Sequence, residues 1–176
     1  MSYRNKTYVI FDGDHDIYAY GFMRGWKSLD HLEFDFHDAH DLGVQLTDRA
    51  SEETVKRCLR QRFSSAKQAI VLIGPNTRNL YRFVRWEIEV ALDLSLPIIA
   101  VNLNQRSGYD ANLCPPILRN VCAIHVPFKM KAIKLAMNNF PAQHAQQARL
   151  IKGPIQYSAE QYRNVGIPID QRGYAQ

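Results

Sequence analysis

The chain has 176 residues, 46% of them hydrophobic, and a formal net charge of +5. That length supports one domain with a sizeable core and leaves little room for two. The positive residues are scattered (Arg57, Arg60, Arg62, Lys129, Lys131, Lys134), without the basic stripe and interleaved aromatics of a nucleic-acid surface, so no nucleic-acid partner is expected.

Cys58, Cys114 and Cys122 cannot all pair and lack the close spacing of a zinc knuckle, so they read as free thiols of a reducing compartment. The polar start "MSYRNK" gives way at once to "TYVIF", leaving no signal-peptide core, and no apolar run approaches the ~18 residues of a membrane span. A cytoplasmic protein without a membrane partner is the expectation.

Apolar runs of strand length alternate with helix-period segments, the pattern of a parallel sheet with crossover helices. "TYVIF" (7–11) is the first expected strand, followed by the loop "DGDHD" and a helix over 17–28 with Asp16 as its candidate N-cap. "LEFDFH" (32–37) alternates apolar and polar side chains and reads as an edge strand. Ser51 is a candidate N-cap, with Glu52 and Glu53 in the first turn of a helix to about residue 65. "QAIVLIG" (68–74) and "PIIAVNL" (97–103) read as central strands flanking a helix over 81–93. "VCAIHVPF" (121–128) is expected as a fifth strand and 129–140 as a fifth helix. Five such repeats predict an α/β fold, a flavodoxin-like or TIR-like three-layer sandwich with a five-stranded parallel sheet. We divide the chain into a domain over 1–140 and an extension over 141–176 that packs on it. The extension carries a possible helix at 142–151 and a capping-box pattern from Ser158 to Gln161.

Two glutamates on the helix over 81–93 separate by position. At about 100° per residue, Val84, Ile88, Ala91 and Leu92 form the stripe that faces the sheet. Glu89 lies far from it, one turn after Arg85, and reads as a surface ion-pair residue. Glu87 lies at the stripe's border with no basic neighbour on its own helix face. Partial desolvation there raises a carboxyl's pKa and calls for a compensating hydrogen bond or ligand. Glu87 is therefore either structural, capping backbone groups of a neighbouring loop, or catalytic. Its place near the C-terminal edge of the sheet, where open α/β folds hold ligands, favours chemistry. Asp12, Gly13, Asp14, His15, Asp16, Asp38, His40, Asp41, Asn76, Thr77 and Asn79 should gather at the same edge. His15, His37, His40 and His125 share no spacing that would preform a metal site.

Several motifs fail on particular residues. A calcium loop starting in "DGDHD" would place Gly and Glu where Ile17 and Met23 stand. A phosphoacceptor receiver needs an aspartate ending its third strand, which here ends in Ile73, Gly74 and Pro75. An aspartate-nucleophile phosphatase would want Thr or Val at Asp16. Neither a Walker loop nor G-x-G-x-x-G occurs.

"FVRWEIEVALDLSLPIIAVNL" is similar to the third helix and fourth strand of TIR domains, "FDFHDAHDL" to their second strand and following loop, and "AIVLIGPNTRN" to their third strand and loop. The likeness covers residues 6–140. The segments "YVIFDGDHDIYAY", "DAHDL", "LYRFVRWEIEVAL" and "LPIIAVNLN" together resemble the TIR-like family of bacterial Thoeris anti-phage systems. That resemblance implies an enzyme that consumes NAD as substrate, with no further cofactor, and makes a cyclic ADP-ribose isomer or related product that activates a separate effector protein. It sets Glu87 at the catalytic glutamate and Phe83 at the aromatic four positions before it. Phe11, Asp12, Gly13, Asp14, Asp38 and Asn76 would line the nucleotide pocket. Phe11 and Asp12 stand where many TIR domains carry a serine, and "DLGVQLTD" replaces the usual proline-glycine loop. A phage-derived trigger and homo-oligomeric assembly are further implied, with Trp86, on another helix face, as a self-association contact.

Breaking the nicotinamide–ribose bond builds an oxocarbenium-like charge that a desolvated carboxylate stabilises. Nicotinamide already leaves as a cation's neutral product, so no strong general acid is required. Two rivals remain: a non-catalytic TIR-like scaffold, and a flavodoxin-like FMN binder, whose phosphate the acids of "DGDHD" would repel.

Overall fold

The computed structural model describes residues 6–32, 34, 36, 51–79 and 82–176. These form strands β1 (Thr7–Ile10), β2 (Gln68–Ile73), β3 (Ile98–Asn102), β4 (Ala123–Pro127) and β5 (Ile155–Gln156). The helices are α1 (Ile17–Lys27), α2 (Glu52–Phe63), α3 (Phe83–Asp93), α4 (Met130–Gln147) and α5 (Ala159–Asn164). All strand pairings are parallel, and the spatial order β1-β2-β3-β4-β5 repeats the chain order.

Every residue of β1 through β4 is buried, which is why these strands read as continuous apolar runs. Alternation along each strand divides the core in two. Tyr8, Ile10, Val71 and Ile73 pack with Val55, Leu59 and Phe63 of α2 and with Val84, Ile88 and Ala91 of α3. Val9, Ile70, Leu72 and Ile124 pack with Ala19 and Met23 of α1 and with Ile133, Met137 and Phe140 of α4. The result is the expected α/β three-layer sandwich around a five-stranded parallel sheet. No helix among the described residues is long and apolar enough to cross a membrane.

Among the described residues, the fifth strand is not the one the sequence suggested. Leu32 closes a 3-10 turn (Asp30–Leu32), and Phe34 and Phe36 belong to no strand. Residues 33, 35 and 37 lie outside the described set. Phe34 and Phe36 are buried on the same side, 5.9 Å apart, against Trp26 and Tyr20. Phe34 and Phe36, the described residues of that alternation beyond Leu32, thus sit in an aromatic cluster. Residues 121–128 supply the fourth strand, and the fifth comes from Ile155–Gln156, pairing with β4.

A second difference concerns Pro141, read as a boundary between two helices. Helix α4 instead runs through it. Proline deletes one helical N–H and crowds the preceding turn. Phe140 is fully buried, and its ring meets His144 one turn later at 5.6 Å, so the packed row continues across the proline.

The extension completes the sheet and clamps its edge. Ser158 and Gln161 form the expected capping box at α5. Buried Tyr162 donates its hydroxyl to the Ser107 carbonyl at 2.9 Å, holding the loop after β3. The Gly173 carbonyl accepts from both the N–H and the hydroxyl of Ser107 at 2.8 Å, and the Ala175 N–H donates to the Gln105 carbonyl at 2.9 Å. Gly173 has φ +84°, which only glycine adopts readily, so the turn behind this clamp depends on it. Tyr162→Phe should keep the packing and lower stability by about 1 kcal/mol in urea melts.

Candidate functional site

The C-terminal ends of parallel strands share one edge of the sheet. Here that edge gathers the "DGDHD" loop after β1 and the loop after β2. Asp12 is buried, and its side chain organises the first loop. Its Oδ1 accepts the Asp14 N–H at 3.0 Å, and its Oδ2 lies 2.7 Å from His15 Nδ1. Gly13, Asp14 and His15 are exposed. Asp16 starts α1 as foreseen, but its side chain makes no capping hydrogen bond. Instead its Oδ2 accepts from the Thr77 hydroxyl at 3.3 Å, and the same hydroxyl oxygen accepts the Gly74 N–H at 2.8 Å. Burial pushes the Asp16 carboxyl above its usual range; Thr77 opposes this and the charge of Asp12 adds to it.

This contact ties the loops after β1 and β2 together and leaves no space at Gly74. A Cβ there would lie 2.3 Å from Asp16 Oδ1 and 2.7 Å from Cγ. Gly74→Ala should therefore destabilise the protein by about 2 kcal/mol, measured by chemical denaturation, through displacement of a buried carboxylate. Asn76 is half-buried and opens the 3-10 turn Thr77–Asn79, whose Asn79 N–H bonds its carbonyl at 2.9 Å.

Glu87 lies on the other side of the sheet's edge strand, between β1, α2 and α3. It is 8% exposed, and the Tyr8 hydroxyl donates to its Oε1 at 3.0 Å. Burial raises its pKa from 4.5 to about 7, while the Tyr8 hydrogen bond and the charge of Arg62 pull the other way. The same neighbourhood pushes the Tyr8 hydroxyl far above its usual value, first through burial and then through the Glu87 charge. Glu89 contrasts with it. Arg85 Nε donates to its Oε1 at 2.8 Å, and Lys56 of α2 lies 2.5 Å from its Oε2. Its carboxyl is held below the usual range: partial burial pushes up, and the hydrogen bonds and charges of Lys56 and Arg85 outweigh it.

The expected site residues thus fall into separate groups. Asp12, Gly13 and Asp14 share one loop, and Asn76 stands beside Thr77, which joins that loop. Phe11 stacks on Tyr20 at 4.6 Å and packs with the α1–α4 layer, whereas Glu87 and Phe83 belong to the α2–α3 layer. Phe83 meets Trp86 at 5.6 Å, and the Arg82 guanidinium lies over both rings. Trp86, expected on another helix face as a self-association contact, is buried in this layer, because α3 packs against α2 as well as against the sheet. Asp38, His40 and Asp41 lie outside the described residues. No group of three or more His, Cys, Asp or Glu side chains among the described residues could hold a metal ion.

Tyr8 and Arg62 were missed as neighbours of Glu87. Both left a trace in the sequence. Tyr8 is the polar-tipped residue of an apolar strand, and Arg62 falls seven positions after Val55, on the buried row of α2 with Leu59 and Phe63.

A family model described as Thoeris protein ThsB, TIR-like domain, matches residues 7–108, more than half of the chain. The match runs from β1 through the loop after β3 and includes the acidic loop, Asn76 and Glu87.

Proposed function

Since the chain belongs to the ThsB TIR-like domain family of Thoeris anti-phage defence, we propose that it cleaves the nicotinamide–ribose bond of NAD, with Glu87 as the catalytic carboxylate. The observation that carries this reading is the buried Glu87 carboxyl on α3, held by the Tyr8 hydroxyl and pushed above its usual range by burial. Perturbed carboxyls of this kind concentrate at reaction centres. Approach of the cationic nicotinamide riboside would favour the ionised form. Tyr8 engages Oε1, which leaves Oε2 to accept the ribose hydroxyls and stabilise the oxocarbenium-like centre. Nicotinamide departs as a neutral base, so the chain need supply no strong acid.

In this reading Asp12, Gly13, Asp14 and Asn76, with Asp38, would meet the nucleotide from the loops after the first strands, with Phe11 beneath them in the α1–α4 layer and Phe83 beside Glu87 in the α2–α3 layer, so a nucleotide that reaches Glu87 has to span both groups. The product is a cyclic ADP-ribose isomer or a related ADP-ribose species that activates an effector protein after a phage-derived trigger. A second reading is favoured by one observation: Glu87 is only 8% exposed and already bonded within the protein, as a structural residue of a non-catalytic scaffold would be. Nicotinamide release from NAD, with products resolved by mass, in lysates of infected and uninfected cells separates the two. Release establishes the enzyme, and its absence under both conditions leaves the scaffold.

A further inference from the structure

The edge of the sheet opposite the crevice holds a cavity of about 680 Å³, a size that suits a small molecule. Pro97 and Cys122, which immediately precede β3 and β4, line it, together with the C-terminal end of α3 and the last turns of α4. Leu92, Leu96 and Val121 bring apolar surface from the α2–α3 layer, and Ile151 brings it from the α1–α4 layer. The two layers meet beneath the strand starts, and the space between them is not filled.

The charged groups at this cavity are of one sign. Arg149 and Lys152, just beyond α4, both line it, and no Asp or Glu does. Both are exposed, and neither forms an ion pair among the described residues. Asp93, next to Leu92 in the chain, is paired instead with Arg60 of α2 at 3.2 Å. His144 lines the cavity with its ring edge-on to Phe140, and burial holds its pKa below the ordinary value, so at neutral pH it is an uncharged hydrogen-bonding group.

Ser95 adds an observation that does not depend on charge. It takes φ 53° at the end of α3, where its N–H bonds the Leu92 carbonyl at 2.9 Å and the Leu96 N–H reaches the Ala91 carbonyl at 3.0 Å. Helices that end this way usually place glycine at the left-handed position, because a side chain is strained there. Here a hydroxyl-bearing residue holds that position and lines the cavity. Backbone strain of this kind gathers at ligand clamps.

We infer that this cavity binds a small organic anion, a carboxylate or phosphate carried on an apolar body, with the anionic group between Arg149 and Lys152 and the body against Leu92, Leu96, Val121 and Ile151. Ser95 and His144 offer it hydrogen bonds. Two exposed cations alone would hold any salt ion weakly, and an apolar wall alone would take a neutral solute. Together they select a molecule that has both parts. Glu87 lies earlier on α3 and is bonded to Tyr8 of β1, so this site is separate from the proposed NAD chemistry.

Fluorescence titration of the full chain with anilinonaphthalene sulfonate, an organic anion that brightens in apolar surroundings, tests it, with circular dichroism to show that each variant is folded. The wild type should bind the dye saturably. Octanoate and octyl phosphate should displace it, and octylamine and inorganic phosphate at the same concentrations should not. Arg149→Glu combined with Lys152→Glu should raise the dissociation constant at least about tenfold. The same charge change made at exposed Lys131 and Arg163, away from the cavity, should leave it within about twofold. Ala145→Trp, at an exposed position that lines the cavity, should abolish binding by filling the space. Absence of saturable binding overturns the inference. So does binding that survives the Arg149 and Lys152 reversal or Ala145→Trp, that falls equally in the Lys131 and Arg163 control, or that yields as readily to octylamine or inorganic phosphate as to octanoate.

Discussion

Glu87→Gln is expected to lower nicotinamide release from NAD by roughly 10²- to 10³-fold, the loss that follows removal of one preorganised electrostatic group at a developing charge. Glutamine keeps the size of the side chain and an oxygen to accept the Tyr8 hydroxyl, so the packing of the α2–α3 layer survives. What it removes is the negative charge. Glu89→Gln is the matched control, two positions on along the same helix, and should leave the rate within about twofold, since its partners are Lys56 and Arg85 rather than any group beside Glu87. Equal activity of wild type and Glu87→Gln would remove the catalytic assignment and leave Glu87 as a structural residue.

The same carboxyl should make folding stability fall as pH rises. Its pKa is raised from 4.5 to about 7 in the folded protein, so between those values the folded state holds a proton that the unfolded state has released. Stability must then decline with rising pH across that window. Below 4.5 both states are protonated and the residue is neutral to stability; above about 7 the full cost of a buried carboxylate is present, roughly 3 kcal/mol. Urea unfolding of wild type and Glu87→Gln should therefore give a stability difference that shifts by that amount in favour of the variant between pH 4.5 and 7. A difference that stays flat would mean that water reaches the carboxyl. His125 acts on the acid side. It is fully buried in β4 beside Tyr109, and burial lowers its pKa from 6.5 to about 4, a drop that the charge of Asp110 only partly offsets. Its contribution is complete above 6.5 and is lost as pH falls toward 4. Because both proteins carry His125, it cancels in the comparison.

Much of the layer order was legible because fully buried strands announce themselves as predominantly apolar runs, and β1 through β4 do so, with polar residues at the ends of β1, β2 and β3 and His125 within β4. The fifth strand was not legible. A two-residue strand, Ile155–Gln156, half-buried and exposed in turn, leaves no periodic signal at all. The segment over 32–37 is described only at Leu32, Phe34 and Phe36, where the apolar positions join an aromatic cluster. Around the site, helical periodicity separated Glu87 from Glu89, since that distinction depends only on which face a residue occupies. It did not supply the company Glu87 keeps. Tyr8 is 79 residues away in sequence, and only tertiary packing joins such partners. Asp16 had an obvious local role as a helix cap, and Thr77, 61 residues on, claimed its side chain instead.

The clamp on the loop after β3 bears on how quickly the edge of the sheet matures. Neighbouring strands follow one another in the chain, but only β2 through β4 do so over short spans, since the β1–β2 pairing joins Thr7 to Gln68 across 61 residues. The contact from Ser107 to Gly173 closes a loop of 66 residues, and that from Ser107 to Tyr162 one of 55. Closure entropy rises with such spans, so the clamped loop after β3 and the β1 edge carry closures of similar cost, while the β2–β3 and β3–β4 pairings can form ahead of both.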